Sequence, residues 1–336
     1  MTSIDKIHAF YQAQNHLSQK DKPELKKLFG ISKEDEIRIG GLQKENEFRL
    51  IIHLLGFTKS IVGIDESTSA LSDVKSTDFL VTIFDCNNEK GRKLAIEVKS
   101  TQKDAFKITN KTIDDKEKFA DDMGAELYFA INMSGHWMLF DSDYVKQRSK
   151  ITIQDDYKNS QFEKLLGERL FLFVPGLELI SIYSKRKKGL GIKHDDYGEL
   201  IRYEIKFKNK RLFNLTLASD EYLAVSYALE HLQDVMSNQY QEIIKLDDDR
   251  TLIKEKLTEN VFIKLSSFML APIKHMVKDV VNEPHTLESF TELLKTDKNY
   301  LSRKHILSVL SFLDEKGYPV VMFLGEDGYR INDLRI

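Results

Sequence analysis

The pattern of apolar and polar positions divides the chain into regions of different style. From Ser3 to Gly30, Ile7, Phe10 and Tyr11, then Leu25, Leu28 and Phe29, recur at helical spacing, and Pro23 interrupts them. Lys33 to Glu36 reads as a charged connector, and Gly40-Gly41 as a break before the next element. From Gly41 onward the pattern is α/β. Phe48, Ile51, Ile52 and Leu55 predict a helix over Leu42 to Leu55, stopped by Gly56. Thr77 to Asp85 and Lys93 to Lys99 are rich in residues that fit a sheet, and Asn87, Asn88 and Gly91 supply turn chemistry, which predicts a hairpin. A helix over Ile113 to Met123, with Phe119 and Ala120 inward, ends at Gly124. Strands over Glu126 to Ile131 and His136 to Phe140 follow, hinged at Ser134-Gly135.

Beyond Tyr144 the character changes. Phe162 to Arg169 is predicted helical and is followed by Leu170 to Val174. Leu177 to Tyr183 and Leu200 to Lys208 read as strands joined by the basic segment Lys185 to Lys193. Helices are predicted over Asp220 to Met236 and Thr251 to Ser267, the second leading to Pro272. Near the C-terminus, Leu287 to Leu294 and Ser302 to Leu313 read as helices, the latter with Ile306, Val309, Leu310 and Leu313 on one face. Tyr318 to Leu324 and Tyr329 to Ile331 then alternate like a hairpin around Gly325 to Gly328, giving the order of a winged helix. The expected organisation is a helical extension over 1–40, an α/β domain over 41–145, a mixed α+β middle region with a basic loop over 146–280, and a winged-helix-like domain over 281–336.

Length and composition narrow the class. The 336 residues leave room for two or three domains, and 41% hydrophobic with 31% charged residues describes a folded chain. A net charge of −3 argues against binding a polyanion by bulk charge but leaves a local basic face open. The one cysteine, Cys86, excludes disulfides and cysteine-rich zinc sites within the chain. The first twenty residues hold no apolar run of the signal-peptide kind, and no stretch has the apolar length of a membrane span, so a cytoplasmic location with no membrane partner is expected. No P-loop, dinucleotide fingerprint or G-x-S-x-G elbow occurs.

The candidate chemistry lies in the predicted hairpin. Metal-assisted phosphodiester hydrolysis needs carboxylates for a hard divalent cation and a polarising group near the attacking water. On a strand, residues two apart share a face, so Glu97 and Lys99 project together while Ile96 and Val98 face the opposite layer. Asp78 opens the preceding strand, within reach of the same cation, and the backbone carbonyl of Val98 can add a neutral ligand. Two other Glu-x-Lys runs exist. Glu24-Leu25-Lys26 lies in a helical stretch, where residues two apart diverge. Glu204-Ile205-Lys206, with Asp195 and Asp196 upstream, is the rival, but its strand alternates like a half-exposed one and no helix–strand pair follows before Asp220.

The stretch STDFLVTIFD…KLAIEVKST resembles the core of the PD-(D/E)xK nuclease superfamily, which includes restriction endonucleases and Holliday-junction resolvases. The resemblance covers Gly41 to about Asp141 in the order helix, strand, ExK strand, helix, strand, with Thr77 where the name-giving proline would stand. It implies a restriction-endonuclease-like mixed sheet flanked by helices. It also implies that Asp78 and Glu97, with the Val98 carbonyl, ligate Mg2+, for which Mn2+ can substitute. Lys99 would orient or help deprotonate the water, and Glu45, with Glu47 as competitor, would support the metal shell. Gln102 and Lys103 would touch the scissile phosphate or its neighbour. The implied activity is a metal-dependent endonuclease acting on double-stranded DNA as a homodimer, in prokaryotic restriction or phage defence, with recombination or transposition behind. A catalytically inactive nuclease-fold adaptor and an RNA-cleaving enzyme are the alternatives.

Outside that core, Lys185, Arg186, Lys187 and Lys188, with Lys193 nearby, form the strongest basic cluster, read either as a solvated hairpin tip or as a phosphate-contacting loop. Arg303, Lys304 and His305 would let the C-terminal domain read DNA, against which Glu326 and Asp327 stand at the wing tip. Docking of a partner protein or dimerisation is the other reading of that domain. His53, His136 and His275 lack ligand spacing, and Trp137 reads as core.

Overall fold

The computed structural model describes residues 3–14, 20–64, 75–85, 88–189, 193–215, 221–271, 302–325 and 327–333. They fall into two compact units, 1–168 with 276–300 and 169–275 with 301–336. The segment 276–300 lies outside the described residues, as does Leu287 to Leu294, the first helix of the expected winged-helix order.

The first unit opens with α1 (Ser3–Gln14) and α2 (Lys22–Phe29), followed by the long helix α3 (Lys33–Leu55). The charged run 33–36 is therefore the first turn of α3 and not a connector, and Gly40-Gly41 lie inside the helix without breaking it. Local chemistry explains the difference. The Ser32 hydroxyl accepts from the Asp35 N–H while the Asp35 carboxylate accepts from the Ser32 N–H, a capping box that fixes the start. Lys6 on α1 adds an ion pair to Asp35 at 2.9 Å. Two interior glycines cost about 1 kcal/mol each relative to alanine. Packing offsets that, because Ile39 is buried among Ile7, Phe10 and Tyr11 of α1.

A five-stranded sheet follows in the order β1-β2-β3-β4-β5: β1 Thr58–Gly63, β2 Phe79–Asp85, β3 Asn88–Thr101, β4 Glu126–Met133 and β5 His136–Asp141. Only β3 and β4 run parallel, across helix α4 (Asn110–Asp122), so the sheet is mixed and flanked by helices, as expected for a restriction-endonuclease-like fold. The half-exposed edge strand β1 was not anticipated, since TKSIVG carries little alternation. One sheet face buries Ala95, Leu127, Phe129 and Ile131 together with Ile113 and Ala120 of α4. On α3, Phe48 meets Phe79, Trp137 and Phe162. The residues 146–168, assigned by sequence to the middle region, belong with this unit. Leu139 N–H donates to the Ser160 hydroxyl and Gln161 N–H donates to the Leu139 carbonyl.

The second unit holds two antiparallel sheets. The larger has the order β10-β9-β7-β12-β11, with the short β8 (Lys193–His194) on β9: β7 Leu177–Ser184, β9 Gly198–Phe207, β10 Lys210–Leu215, β11 Gln241–Lys245 and β12 Arg250–Lys256. The smaller has the order β13-β6-β14-β15: β6 Leu170–Phe173, β13 Val261–Lys264, β14 Val320–Leu324 and β15 Asp327–Arg330. The helix expected over Thr251 to Ser267 is thus wrong. Polar turns cut the segment: Asp247 accepts from the N–H groups of Asp249 and Arg250, and the Gln239 side chain accepts from Thr258 and Glu259. Helix begins only at Leu265. The C-terminal helix Arg303–Glu315 and the hairpin β14–β15 form as anticipated, but β14 pairs with β6, so the hairpin completes a sheet begun about 150 residues earlier.

Glu255 on β12 is buried, facing Gln233 and Asp234 of the helix Glu221–Gln239, and burial pushes its carboxyl from 4.5 up to about 7. A carboxyl whose folded-state pKa lies above its unfolded one favours the folded state when protonated. Stability therefore falls as pH rises from about 4.5 to about 7, by on the order of 3 kcal/mol. Glu255→Gln is expected to raise the melting temperature above pH 7 and to leave it nearly unchanged near pH 4.5. A pH-independent difference in thermal unfolding would count against this account.

Candidate active site

Strand β3 carries the centre of the site. Ala95, Glu97 and Lys99 point to the side covered by α4, and Glu97 is buried there, 2% exposed. A lone carboxylate in that position would carry a prohibitive desolvation cost. Two lysines compensate it: Lys99 Nζ lies 2.6 Å from Glu97 Oε1 and Lys116 Nζ lies 2.8 Å from Oε2. Lys99, 38% exposed, also reaches open space, whereas the Lys116 side chain is 4% exposed.

Lys116 was not among the residues proposed from sequence. It sits on α4 with Ile113 one turn before and Phe119 and Ala120 one turn after, all buried. A lysine inside the apolar stripe of a helix was the available signal, because a charge faces a core only with a partner. Its ammonium also donates to the carbonyl of Ser76, and Lys75 pairs with Asp115 at 3.4 Å, so α4 holds the segment that leads into β2.

That segment delivers Asp78. Phe79 is paired with Ile96, which places Asp78 just past the end of the β2–β3 ladder and beside Glu97. The next free N–H of β3, on Val98, donates to Asp78 Oδ2 at 2.6 Å, and the Asp78 carbonyl accepts from Ile64 N–H at 2.9 Å. Burial above all, then the charges of Glu97 and Glu45, push the Asp78 carboxyl well above the usual carboxylate range, against the pull of Lys99 and the Val98 N–H. Three carboxylates and one ammonium thus share one electrostatic site. Glu45 lies on α3 and lines a cavity with Val98 and Lys99. Glu47, its competitor, is engaged elsewhere, accepting from the Trp137 indole at 3.3 Å and pairing with Lys44 at 2.8 Å.

The donor set suits a hard cation. Among the described residues no three or more His, Cys, Asp or Glu side chains are grouped to hold a metal. A cation at this site would rest on Asp78 and Glu97 with the Val98 carbonyl, the oxygen set that magnesium accepts, its remaining positions filled by water. Such a charge would relieve the repulsion that Asp78 now experiences.

The other expected contacts are dispersed. Gln102 and Lys103 are exposed just beyond β3 in the same unit. Lys185, Arg186, Lys187 and Lys188 form an exposed loop of the second unit, folded over Ser184 and Asp249, which accept from its N–H groups. Arg303 and Lys304 occupy the first turn of the C-terminal helix, also in the second unit. The rival Glu204 is buried and ion-paired to Arg202, Lys206 and Arg211. Asp195 and Asp196 are exposed in the turn before β9, eight or more residues before Glu204 and separated from it by roughly 20 Å of strand, so neither joins Glu204.

Residues 69–169 match the family model of archaeal Holliday junction resolvase (hjc). The matched segment, under a third of the chain, holds β2, β3, α4, β4 and β5, and the match is to a nuclease family of the kind that the Asp78 and Glu97–Lys99 motif resembles. It begins after α3, so Glu45 and the N-terminal helices lie outside it. Among solved structures, that of Archaeoglobus fulgidus Hjc, a Holliday junction resolvase from an archaeal hyperthermophile, aligns at 20% identity. The alignment covers 34% of this chain and 89% of that one, with a TM-score of 0.28. No curated protein matches the chain.

Two stability measurements probe the site without substrate. Lys116→Met strands a buried carboxylate and is expected to cost about 3 kcal/mol, lowering the melting temperature by roughly 6–12 °C; an unchanged melting temperature would contradict the ion-pair account. Asp78→Asn is expected to act in the opposite sense. Because folding raises the Asp78 pKa, its destabilising effect is absent below the usual carboxylate range and grows as pH rises. In metal-free buffer the Asn variant should melt above the parent at neutral pH, by a margin that shrinks on acidification.

Proposed function

We propose that the chain is a metal-dependent endonuclease that hydrolyses phosphodiester bonds in DNA, with Mg2+ as the working ion and Mn2+ able to replace it. The observation that carries this reading is the approach of Asp78, Glu97 and Lys99 at the end of the β2–β3 ladder, inside a segment that matches a resolvase family model, with the charge of Glu45 on α3 acting on Asp78 from outside that segment. A bound divalent ion would supply Lewis-acid polarisation of the phosphoryl oxygen and a more acidic water. The residues supply the rest. Glu97 and Asp78 would hold the ion, and Lys99, with its ammonium at the solvent-facing edge, would stabilise the negative charge that develops on the phosphorane. Lys116 is a positioning residue that fixes the rotamer of Glu97 from behind. No helix among the described residues is long and apolar enough to cross a membrane.

The superfamily resemblance also suggests a homodimer in which each copy cuts one strand, working in restriction or phage defence. Branched DNA is the second reading of the substrate, favoured by the resolvase family match. Incubating plasmid and a synthetic four-way junction with purified protein and magnesium, beside Asp78→Ala and Lys99→Ala, tests the proposal. Each variant is expected to lose roughly 10²–10³-fold in rate. Equal cleavage by all three proteins would sink the assignment, and preference for the junction over linear duplex would select the second reading.

A further inference from the structure

The cavity beside the candidate site extends well past the reacting groups. Its volume is about 380 Å³, inside the roughly 300–1,000 Å³ range of small-molecule sites, and Glu45, Val98 and Lys99 form only one end of it. The remaining wall comes from α1 and from one face of α3, where Arg38, Gly41, Leu42 and Glu45 recur at helical spacing. Neither helix lies within the segment that matches the resolvase family model.

Three features give this wall a ligand preference. It is apolar where Ile7, Leu42 and Ile37 contribute, and Ile37 is 77% exposed, so its side chain is open to a ligand. It carries two cations, Arg38 and Lys44, the latter held by Glu47 at 2.8 Å. It is also deepened by Gly41, a helical glycine whose added Cβ would meet nothing within 4 Å, so any larger side chain would enter the open space. The α1 side is held in place rather than loosely apposed, through the Lys6–Asp35 ion pair, a hydrogen bond from Asn46 Nδ2 to Tyr11 Oη at 2.7 Å, and the cluster around Phe10.

Apolar walls for a flat ring, cations for a phosphate and direct continuity with the reacting groups describe the chemistry of one nucleotide. We infer that this cavity receives an unpaired nucleotide adjoining the scissile phosphate, so that the N-terminal helices select DNA in which that nucleotide is unstacked, as at a fork or flap. A base held in a stacked duplex cannot enter, and one already unpaired avoids the cost of leaving the stack. Arg38 would hold the phosphate of the entering strand, joined by Lys44 on exchanging its Glu47 partner, and His8 on α1 lies within the same wall to meet the base edge.

This inference rests on the nuclease reading, and the test separates the two. Cleavage with magnesium is compared on a forked oligonucleotide and a fully paired duplex of the same sequence, using the parent and Gly41→Leu. Leucine raises helix propensity over glycine, so folding is favoured. The parent should cut the fork at least about ten-fold faster than the duplex, and Gly41→Leu should lose that advantage with its duplex rate within about two-fold of the parent. Ile37→Ser, at an exposed position that folding does not depend on, should reduce the advantage in the same sense. Binding to the fork is measured in parallel without divalent cation, against a fork that is abasic at its unpaired positions. If nothing is cut, the nuclease reading fails while binding still decides the pocket. Equal affinity for intact and abasic forks, or an undiminished fork advantage in both variants, would overturn the inference.

Discussion

The first unit is organised around a buried carboxylate. Glu97 stands on the central strand of a mixed sheet, in a layer otherwise filled by Phe129, Ile131 and the apolar face of α4. Nothing in that layer could tolerate an isolated negative charge, and a single exposed lysine would compensate it only weakly. Lys116 resolves the conflict by bringing a second ammonium inside the core, and it binds the Ser76 carbonyl with the same group. One ion pair therefore sets the rotamer of Glu97, the seating of α4 and the approach of the chain into β2.

The position of Asp78 follows from that approach. With Phe79 in register with Ile96, the carboxylate accepts from the next N–H of β3 past the ladder, that of Val98, in place of a backbone carbonyl. It thereby lies beside Glu97 and within the field of Glu45 in a poorly solvated corner, which raises its pKa. The arrangement is unfavourable for the fold taken alone. Carboxylates crowded at one place, with the surrounding structure holding them there, are what a cation-binding site requires before the cation arrives. The same crowding distinguishes this site from Glu204, whose carboxylate is surrounded by three cations and is already neutralised.

The N-terminal helices gain their importance from the same geometry. The capping box at Ser32 extends α3 a full two turns beyond the expected start, through both glycines, and that extension gives α1 a surface to pack on. A shorter α3 beginning at Leu42 would still carry Glu45, but the site would open directly to solvent instead of continuing into a walled cavity. Continuity of one helix thus adds a walled cavity to the cluster of candidate residues.

Local pattern was enough for the elements of the site and for their order. Sheet-forming residues in Phe79–Asp85 and Leu94–Lys99 and the stops at Gly56 and Gly124 act over a few residues, so hairpin, helix and the shared face of Glu97 and Lys99 were legible in the chain, whereas Asn88 and Gly91, read as turn residues, lie inside β3, which starts at Asn88. What local pattern could not supply was anything decided by a distant partner. The role of Lys116 depends on a carboxylate 19 positions earlier, and the choice between Glu45 and Glu47 on where Trp137 falls. The strand Arg250–Lys256 depends on β7 supplying its hydrogen bonds, and β14 on pairing with β6. Backbone propensity is a weak, short-range preference, whereas burial of charge and completion of a sheet are settled by whichever segments meet in space. Sequence alone therefore determined the elements and named the candidate residues, and tertiary packing decided which of them stand together and what surrounds them.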